Sequence, residues 1–111
     1  MAESKYIIQN QPDGAVMIAE EVLASIIYYA VEEVDHVSLS GKPGKNWGKG
    51  VKIGILEDNR LDVDCYVNVS YNQSVVSAAA AVQEAVVNAL ESMAGVQVSH
   101  VNVNVCGITR E

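Results

Sequence analysis

Positively charged residues are scarce in this chain. Of its 111 residues, 7 are lysine or arginine and 14 are aspartate or glutamate, which gives a formal net charge of −7 at pH 7. Proteins that bind nucleic acid or anionic lipid directly take most of their affinity from lysine and arginine side chains that neutralise phosphate groups. The composition therefore argues against a nucleic-acid partner.

Long apolar runs and cysteine are scarce as well. No stretch approaches the roughly 20 apolar residues that a helix needs to span a bilayer, and the N-terminal segment has no basic region followed by a long apolar run. We therefore expect a cytoplasmic protein with no direct membrane insertion.

The two cysteines, Cys65 and Cys106, lack the CxxC spacing of redox and zinc sites, so we expect both to be reduced thiols.

The segment LDVDCYVNVS has the alternation of a strand with one buried and one solvated face. Aliphatic side chains occupy its odd positions and mostly polar side chains its even positions. The segment VSHVNVNVCGI alternates in the same way, which assigns Cys65 to the buried face and Cys106 to the polar face of the sheet. The valines change phase between Val98 and Val101, which predicts a β-bulge near Ser99 or a strand that starts late.

Two longer segments have the periodicity of amphipathic helices. We expect the second helix to have Ser74 as its N-cap and to end at Gly95 in the left-handed conformation. The predicted apolar stripe of the first helix is Ile18, Val22, Leu23, Ile26, Ile27, Ala30, Val31 and Val34. The predicted buried line of the second helix is Val75, Ala79, Val82, Val86, Leu90 and Met93.

Together with short strands near 16–18, 37–39 and 51–56, these segments give the order β-α-β-β-β-α-β. The predicted fold class is α+β, a two-layer sandwich in which two long helices pack on one face of a small mixed sheet. Half of the residues are hydrophobic, which suffices for one domain with a single core. We expect this domain to span residues 14–111 and residues 1–13 to form a loosely held arm. Alternatively, the segment KYII adds an edge strand to this or another sheet.

The segment GAVMIAEEVLASIIYYAVEEVDHV resembles the opening signature of the bacterial alkaline-shock protein family, small cell-envelope stress-response proteins of Gram-positive bacteria. The segments GVKIGI, LDVDCYVNVSYNQSV and VQEAVVNALESMAGVQVSHVNVNVCGI follow in the order of the family, so the resemblance covers about residues 14–108. The chain departs from the pattern at Ala19, where the family often has a capping serine, and at His36, where glycine is frequent. The resemblance implies a non-enzymatic cytoplasmic protein that self-associates and, in some members, collects at the membrane through an integral-membrane partner.

The segment GKPGKNWGKGVK is the one basic part of the chain. It is a candidate partner-docking loop, with Trp47 as an amphipathic anchor. A mobile tether and an RNA- or anion-binding module are the alternatives. Nucleotide binding loses its main support because GKNWGK is one residue shorter than the phosphate-binding pattern requires, with Gly50 in place of serine or threonine. The residues of the candidate loop are Lys42, Lys45, Trp47, Lys49 and Lys52.

The polar face of the sheet is the second candidate. If the two alternating strands are neighbours, one surface carries Asp62, Asp64, Tyr66, His100, Asn102 and Asn104. We expect a solvated face or an interface with another subunit, to which an aromatic residue is suited. A metal site is less favoured, because side chains two apart on a strand project in parallel rows instead of converging on one ion. No cofactor is expected.

A small enzyme is the remaining alternative, with Cys106 as nucleophile and His100 or His36 as base. Cys106 and His100 are six residues apart on one strand, about 20 Å, so they cannot share a proton directly. We therefore predict no enzymatic activity. What the resemblance implies is an envelope-stress-response or scaffold protein that forms homo-oligomers and contacts other proteins, among them an integral-membrane anchor.

Overall fold

A computed structural model of the chain describes residues 6–40, 50–56, 58 and 60–110. The elements are β1 (Tyr6–Gln11), β2 (Gly14–Ala19), α1 (Glu20–Glu32), β3 (Val37–Leu39), β4 (Val51–Ile55), β5 (Leu61–Ser70), α2 (Val75–Ala89), a π-helical turn (Leu90–Ala94) and β6 (Val98–Thr109). From β2 to β6 this is the predicted order, and the α+β class with two helices and a mixed sheet is confirmed.

Strand β5 is the centre of a four-stranded sheet. Strand β6 pairs with it in parallel, whereas β3 and β4 pair with it antiparallel. Because β3 pairs with residues 67–69 and β4 with residues 61–65, these two short strands lie end to end along one edge of β5.

The residues just after β3 and just before β4 both form hydrogen bonds with the backbone of Tyr66 in β5. The N–H of Ser40, just after β3, donates to the Tyr66 carbonyl oxygen at 2.6 Å, and the Tyr66 N–H donates to the carbonyl oxygen of Gly50, just before β4, at 2.9 Å. The basic segment between β3 and β4 therefore starts and ends at the same residue of the central strand.

The odd-numbered side chains of β5 form the centre of the hydrophobic core. Leu61, Val63, Cys65, Val67 and Val69 are fully buried, whereas the even-numbered side chains from 62 to 68 are partly exposed. Both helices contribute to the same cluster, so they cover the same face of the sheet. The side chains contributed by the helical segments with no exposed surface are Leu23, Ile27, Val31, Val82, Val86 and Leu90.

Three residues that were predicted to lie on the buried helix stripes are exposed. Val22 is 50% exposed because α1 turns Leu23, Ile27 and Val31 toward the sheet instead. Val75 is 38% exposed because it is the first residue of α2 and precedes the part of the helix that packs on the core. Met93 is 72% exposed, since the π-helical turn winds more widely than an α-helix and carries the side chain off the buried line.

The ends of the helices follow the capping residues. Ser74 caps α2, with its Oγ accepting a hydrogen bond from the Ser77 N–H at 3.2 Å, and Gly95 has the left-handed φ of 66°. Both predictions are confirmed. At the start of α1 the N-cap position is Ala19, which makes no side-chain hydrogen bond. A serine there contributes about 1 kcal/mol in other helices.

Strand β6 contains two bulges. Between the pairs Leu61–Val98 and Asp62–His100 the residue Ser99 is left over, which confirms the predicted bulge. A second, unpredicted bulge leaves Cys106 over between the partners of Val67 and Asn68. A Cβ atom on the next residue, Gly107, would lie 3.0 Å from Asn68 Oδ1, so a larger residue there would need a small shift of the Asn68 side chain.

Strands β1 and β2 form a separate two-stranded antiparallel hairpin, paired from Tyr6–Ala19 to Gln11–Gly14. Half of the predicted arm is thus a strand that pairs with the next strand in its own small sheet. The Gln9 amide Nε2 donates to the carbonyl oxygens of Ala94 and Gly95, at 3.2 and 3.1 Å, and so joins the hairpin to the end of the π-helical turn. The predicted domain boundary at residue 14 stays a prediction.

Candidate functional site

The structure brings the predicted polar residues of β5 and β6 together on one face. The strand register pairs Asp62 with His100, Asp64 with Asn102, and Tyr66 with Asn104. Lys52 of β4 pairs with Asp64 on the other side. These side chains therefore form cross-strand rows on the sheet face opposite the helices.

Several side chains of this polar face contact one another. Asn102 Nδ2 donates to Asp64 Oδ1 at 3.0 Å, and Asn104 Nδ2 donates to the Cys65 carbonyl oxygen at 3.4 Å. His100 Nδ1 lies 3.4 Å from Asp62 Oδ1, a buried atom that has no hydrogen-bond partner within the described part of the chain. The Asn102 and Asn104 amides of this face thus donate hydrogen bonds to groups of the neighbouring strand. Its role as an interface stays a prediction.

The parallel rows also bear on metal binding. Among residues 6–40, 50–56, 58 and 60–110, no three histidine, cysteine, aspartate or glutamate side chains come close enough to share an ion. The geometric reason is that cross-strand neighbours approach in pairs, as Asp62 and His100 do, while the next pair lies two residues further along the strand.

The structure does not bring the candidate nucleophile and base together. His100 lies beside Asp62, and Cys106 lies at the bulge beside Val67, five positions along β5. That separation is about 17 Å. The alternative base, His36, lies beside Ser70 just before β3, and Cys106 lies on β6 at the other edge of β5, so two inter-strand spacings, roughly 10 Å, separate them.

The other thiol, Cys65, is fully buried on the core face, and Cys106 is exposed, as predicted. Burial, assisted by the nearby Asp64 carboxylate, raises the pKa of the Cys65 thiol to about 12. A thiol is a weak nucleophile until it ionises, so Cys65 acts as a small apolar core residue at neutral pH.

The candidate docking loop is described in part. Lys42, Lys45, Trp47 and Lys49 lie outside the described residues, and Lys52 is an exposed residue of β4. The prediction that this loop binds a partner therefore stays a prediction.

The hairpin is an apolar surface that the sequence analysis missed. Ile8 and Met17 are cross-strand partners on one face and are 43% and 58% exposed. We call these two residues the hairpin patch. Val16, on the opposite face, is 49% exposed. From Tyr6 to Ala19 the one charged residue is Asp13, in the turn. Two aliphatic segments flanking Pro12–Gly14 were the available signal for a hairpin.

Comparison with known proteins adds a family to this geometry. The sequence model of the alkaline-shock protein 23 family, described by a cell envelope-related function, matches residues 8–110. The chain belongs to this family. The resemblance seen from the sequence is thereby confirmed, and the alkaline-shock protein 23 match also takes in the hairpin from Ile8 onward.

Two relatives are similar to this member of the alkaline-shock protein 23 family over most of its length. The uncharacterized protein YqhY of Bacillus subtilis (strain 168) is 33% identical over 105 residues, which cover 86% of this chain and 77% of the relative. The uncharacterized protein Spy1535 of Streptococcus pyogenes serotype M6 (strain ATCC BAA-946 / MGAS10394) is 33% identical over 105 residues, covering 88% and 81%. No solved structure matches the chain. Within the described residues, no helix has the length and apolar character needed to cross a membrane.

Proposed function

We propose that this chain is a non-enzymatic envelope-stress-response scaffold on the cytoplasmic side of the membrane. It works by associating with further copies of itself and is recruited to the membrane by an integral-membrane partner. The family description supports a role at the cell envelope. The observation that carries the self-association is the exposed hairpin patch.

The hairpin lacks the burial that normally stabilises a small sheet. A two-stranded hairpin is marginally stable in water unless further strands or a helix cover it. Here Ile18 and Gln9 contact the rest of the chain, but Met17 keeps 58% of its surface exposed. Covering a large aliphatic side chain completely contributes roughly 2 kcal/mol. A partner that covers the hairpin patch thus stabilises both the hairpin and the complex.

A second copy of the chain is the occupant that fits this patch. Two molecules that each carry a net charge of −7 repel one another, so they associate most easily where charge is sparse. The hairpin is such a place, with Asp13 as the one charged residue between Tyr6 and Ala19. Two hairpins can also meet around a two-fold axis, so that the same apolar residues face each other.

Sedimentation velocity of the purified chain over a range of concentrations tests the proposal. We expect the wild type to associate and Met17→Glu to shift association to at least about tenfold higher concentration, because the new carboxylate would be buried against its own copy. Val76→Glu is the matched control. Val76 is 79% exposed on α2, so this substitution adds the same negative charge at a position away from the hairpin. A wild type that stays monomeric, or equal association of the two variants, would contradict the proposal.

The membrane partner is proposed to contact the basic loop. Lys42, Lys45 and Lys49 concentrate positive charge on a chain whose net charge is negative, which favours an acidic docking surface on the partner. Changing all three to glutamate should remove the protein from the membrane fraction of cells while its circular dichroism spectrum is unchanged. Changing all three to arginine keeps the charge and is the control. Undiminished membrane recovery of the glutamate variant would remove the loop from the proposal.

A further inference from the structure

Two adjoining cavities form a cleft at one end of the four-stranded sheet. Their volumes are about 140 and 480 Å³, and His36 and Ser70 line both. The larger volume lies in the range of cavities that take small molecules. The other lining residues are Val37, Ser38, Tyr71, Asn72, Gln73, Thr109 and Arg110. We call this feature the strand-end cleft.

The fold builds the cleft where β5 and β6 both reach their carboxyl ends. The Ser70 N–H donates to the His36 carbonyl oxygen at 2.9 Å, and the Tyr71 N–H donates to the Thr109 carbonyl oxygen at 2.6 Å. These bonds align the segment before β3, the end of β5 and the end of β6 in one row. The carboxyl ends of parallel strands are where open sheets commonly bind ligands.

The Ser70 hydroxyl belongs to the wall of the cleft. Ser70 lines both cavities, although the residue as a whole is only 8% exposed. Among the described residues the buried side-chain atom without a hydrogen-bond partner is Asp62 Oδ1 and not the Ser70 hydroxyl. A serine hydroxyl on a cleft wall can donate one hydrogen bond to an oxygen of a ligand.

The other groups of the cleft favour a negatively charged acceptor. The Arg110 guanidinium lies 5.4 Å from the centre of the Tyr71 ring, within the range of a cation–π contact, and Arg110 is exposed. The side chains of His36 and Asn72 add further donors. Among the described residues that line the cleft, none is aspartate or glutamate.

The backbone on two sides of the cleft is held in an unfavourable conformation. His36 and Asn72 have φ values of 68° and 76°, in the left-handed region that costs side-chain-bearing residues roughly 1 kcal/mol or more. Such residues cluster at functional sites because the surrounding structure sustains them.

We propose that the strand-end cleft binds the phosphate group of a small phosphate monoester. The Arg110 guanidinium pairs with the phosphate charge, the Ser70 hydroxyl donates to a phosphate oxygen, and His36 and Asn72 donate from the rim. A tetrahedral oxyanion accepts several converging hydrogen bonds at once, and arginine binds it through two parallel N–H groups. The volume beyond the phosphate accommodates the organic part of the molecule. This proposal is independent of self-association through the hairpin.

Nuclear magnetic resonance titration at constant ionic strength tests the proposal, with inorganic phosphate and glucose 6-phosphate as separate probes. We expect amide shifts confined to residues 36–38, 70–73 and 109–110. Tighter binding of glucose 6-phosphate would identify a monoester site, and equal binding would restrict the site to the free anion and overturn the monoester assignment. No saturable shift with either probe at millimolar concentration would overturn the proposal entirely.

Two variants and a control distinguish binding in the strand-end cleft from nonspecific electrostatic attraction of the anion to the protein. Arg110→Gln should weaken glucose 6-phosphate binding at least about tenfold, and Ser70→Ala should weaken it several-fold. Arg60→Gln is the matched control, because Arg60 is an exposed arginine paired with Asp58 at the opposite end of β5. Equal affinity of Arg110→Gln and wild type, or equal losses in Arg110→Gln and Arg60→Gln, would contradict the assignment. Arg110 is exposed, so its test does not depend on the folding of the Ser70 variant.

Discussion

The four-stranded sheet with its helices and the two-stranded hairpin are built from similar aliphatic residues but bury them to different extents. The odd-numbered side chains of β5 are fully buried, whereas Met17 and Val16 of the hairpin are about half exposed. The sheet has two helices over one face, and the hairpin meets the chain through Ile18 and the amide of Gln9. A single chain therefore buries the aliphatic side chains of the central strand β5 completely, whereas it leaves Met17 and Val16 of the hairpin partly exposed to solvent or to a partner.

Truncating one side chain in each region should give the largest contrast. Leu23→Ala should lower the free energy of unfolding by about 2–5 kcal/mol, because Leu23 is fully buried in the core. Met17→Ala should change it by less than about 0.5 kcal/mol in the monomer, because more than half of Met17 is already in water. Urea denaturation below the association concentration measures both. A loss of about 2 kcal/mol in Met17→Ala would show that the monomer itself completes the hairpin.

The core region should also lose stability in alkali through Cys65. Its pKa is raised from 9.0 to about 12 in the folded chain, so between these values the unfolded chain releases a proton that the folded chain keeps. This contribution is fully present below pH 9 and is lost as pH rises toward 12, by at most about 1.4 kcal/mol per pH unit.

Comparison of wild type with Cys65→Ala isolates this contribution, since other groups titrate equally in both. The urea midpoint of the wild type should fall more steeply above pH 9 than that of Cys65→Ala. Cys106→Ala is the control and should follow the wild type, because Cys106 is exposed. Parallel profiles for wild type and Cys65→Ala would contradict the burial of this thiol.

The smallest expected effect concerns the link between the two regions. Gln9→Ala removes the two hydrogen bonds to the Ala94 and Gly95 carbonyls and should lower the free energy of hairpin opening by about 1 kcal/mol. Gln11→Ala is the matched control, an exposed glutamine on the same strand. Amide hydrogen exchange of residues 6–19 measures the effect. Equal exchange in the two variants would mean that packing, and not this amide, holds the hairpin in place.

The core region could be predicted from the sequence because its signals are local. Alternation from Leu61 to Val69 identified the buried face and placed Cys65 in it, whereas Ser70, expected on the polar face, is buried as well. The change of phase before Val101 indicated the bulge at Ser99, and Ser74 and Gly95 marked the ends of the second helical segment. Each of these features depends on residues within a few positions of one another.

The missed features depend on contacts between distant segments. The position of Met93 follows from the π-helical turn, and nothing in the helical periodicity indicates that turn. The strand-end cleft needs His36, Ser70 and Arg110, which the sheet brings together from three separate segments. The polar rows were foreseen because they required one assumption, that β5 and β6 are neighbours, and the parallel register satisfies it.

Hydrogen exchange of the wild type at a series of protein concentrations tests the central claim most directly. If a second copy covers the hairpin patch, protection of the amides in β1 and β2 will rise with concentration, whereas protection in β5 will be high and constant. Hairpin amides as strongly protected as those of β5 at a concentration where sedimentation shows monomers would contradict the account.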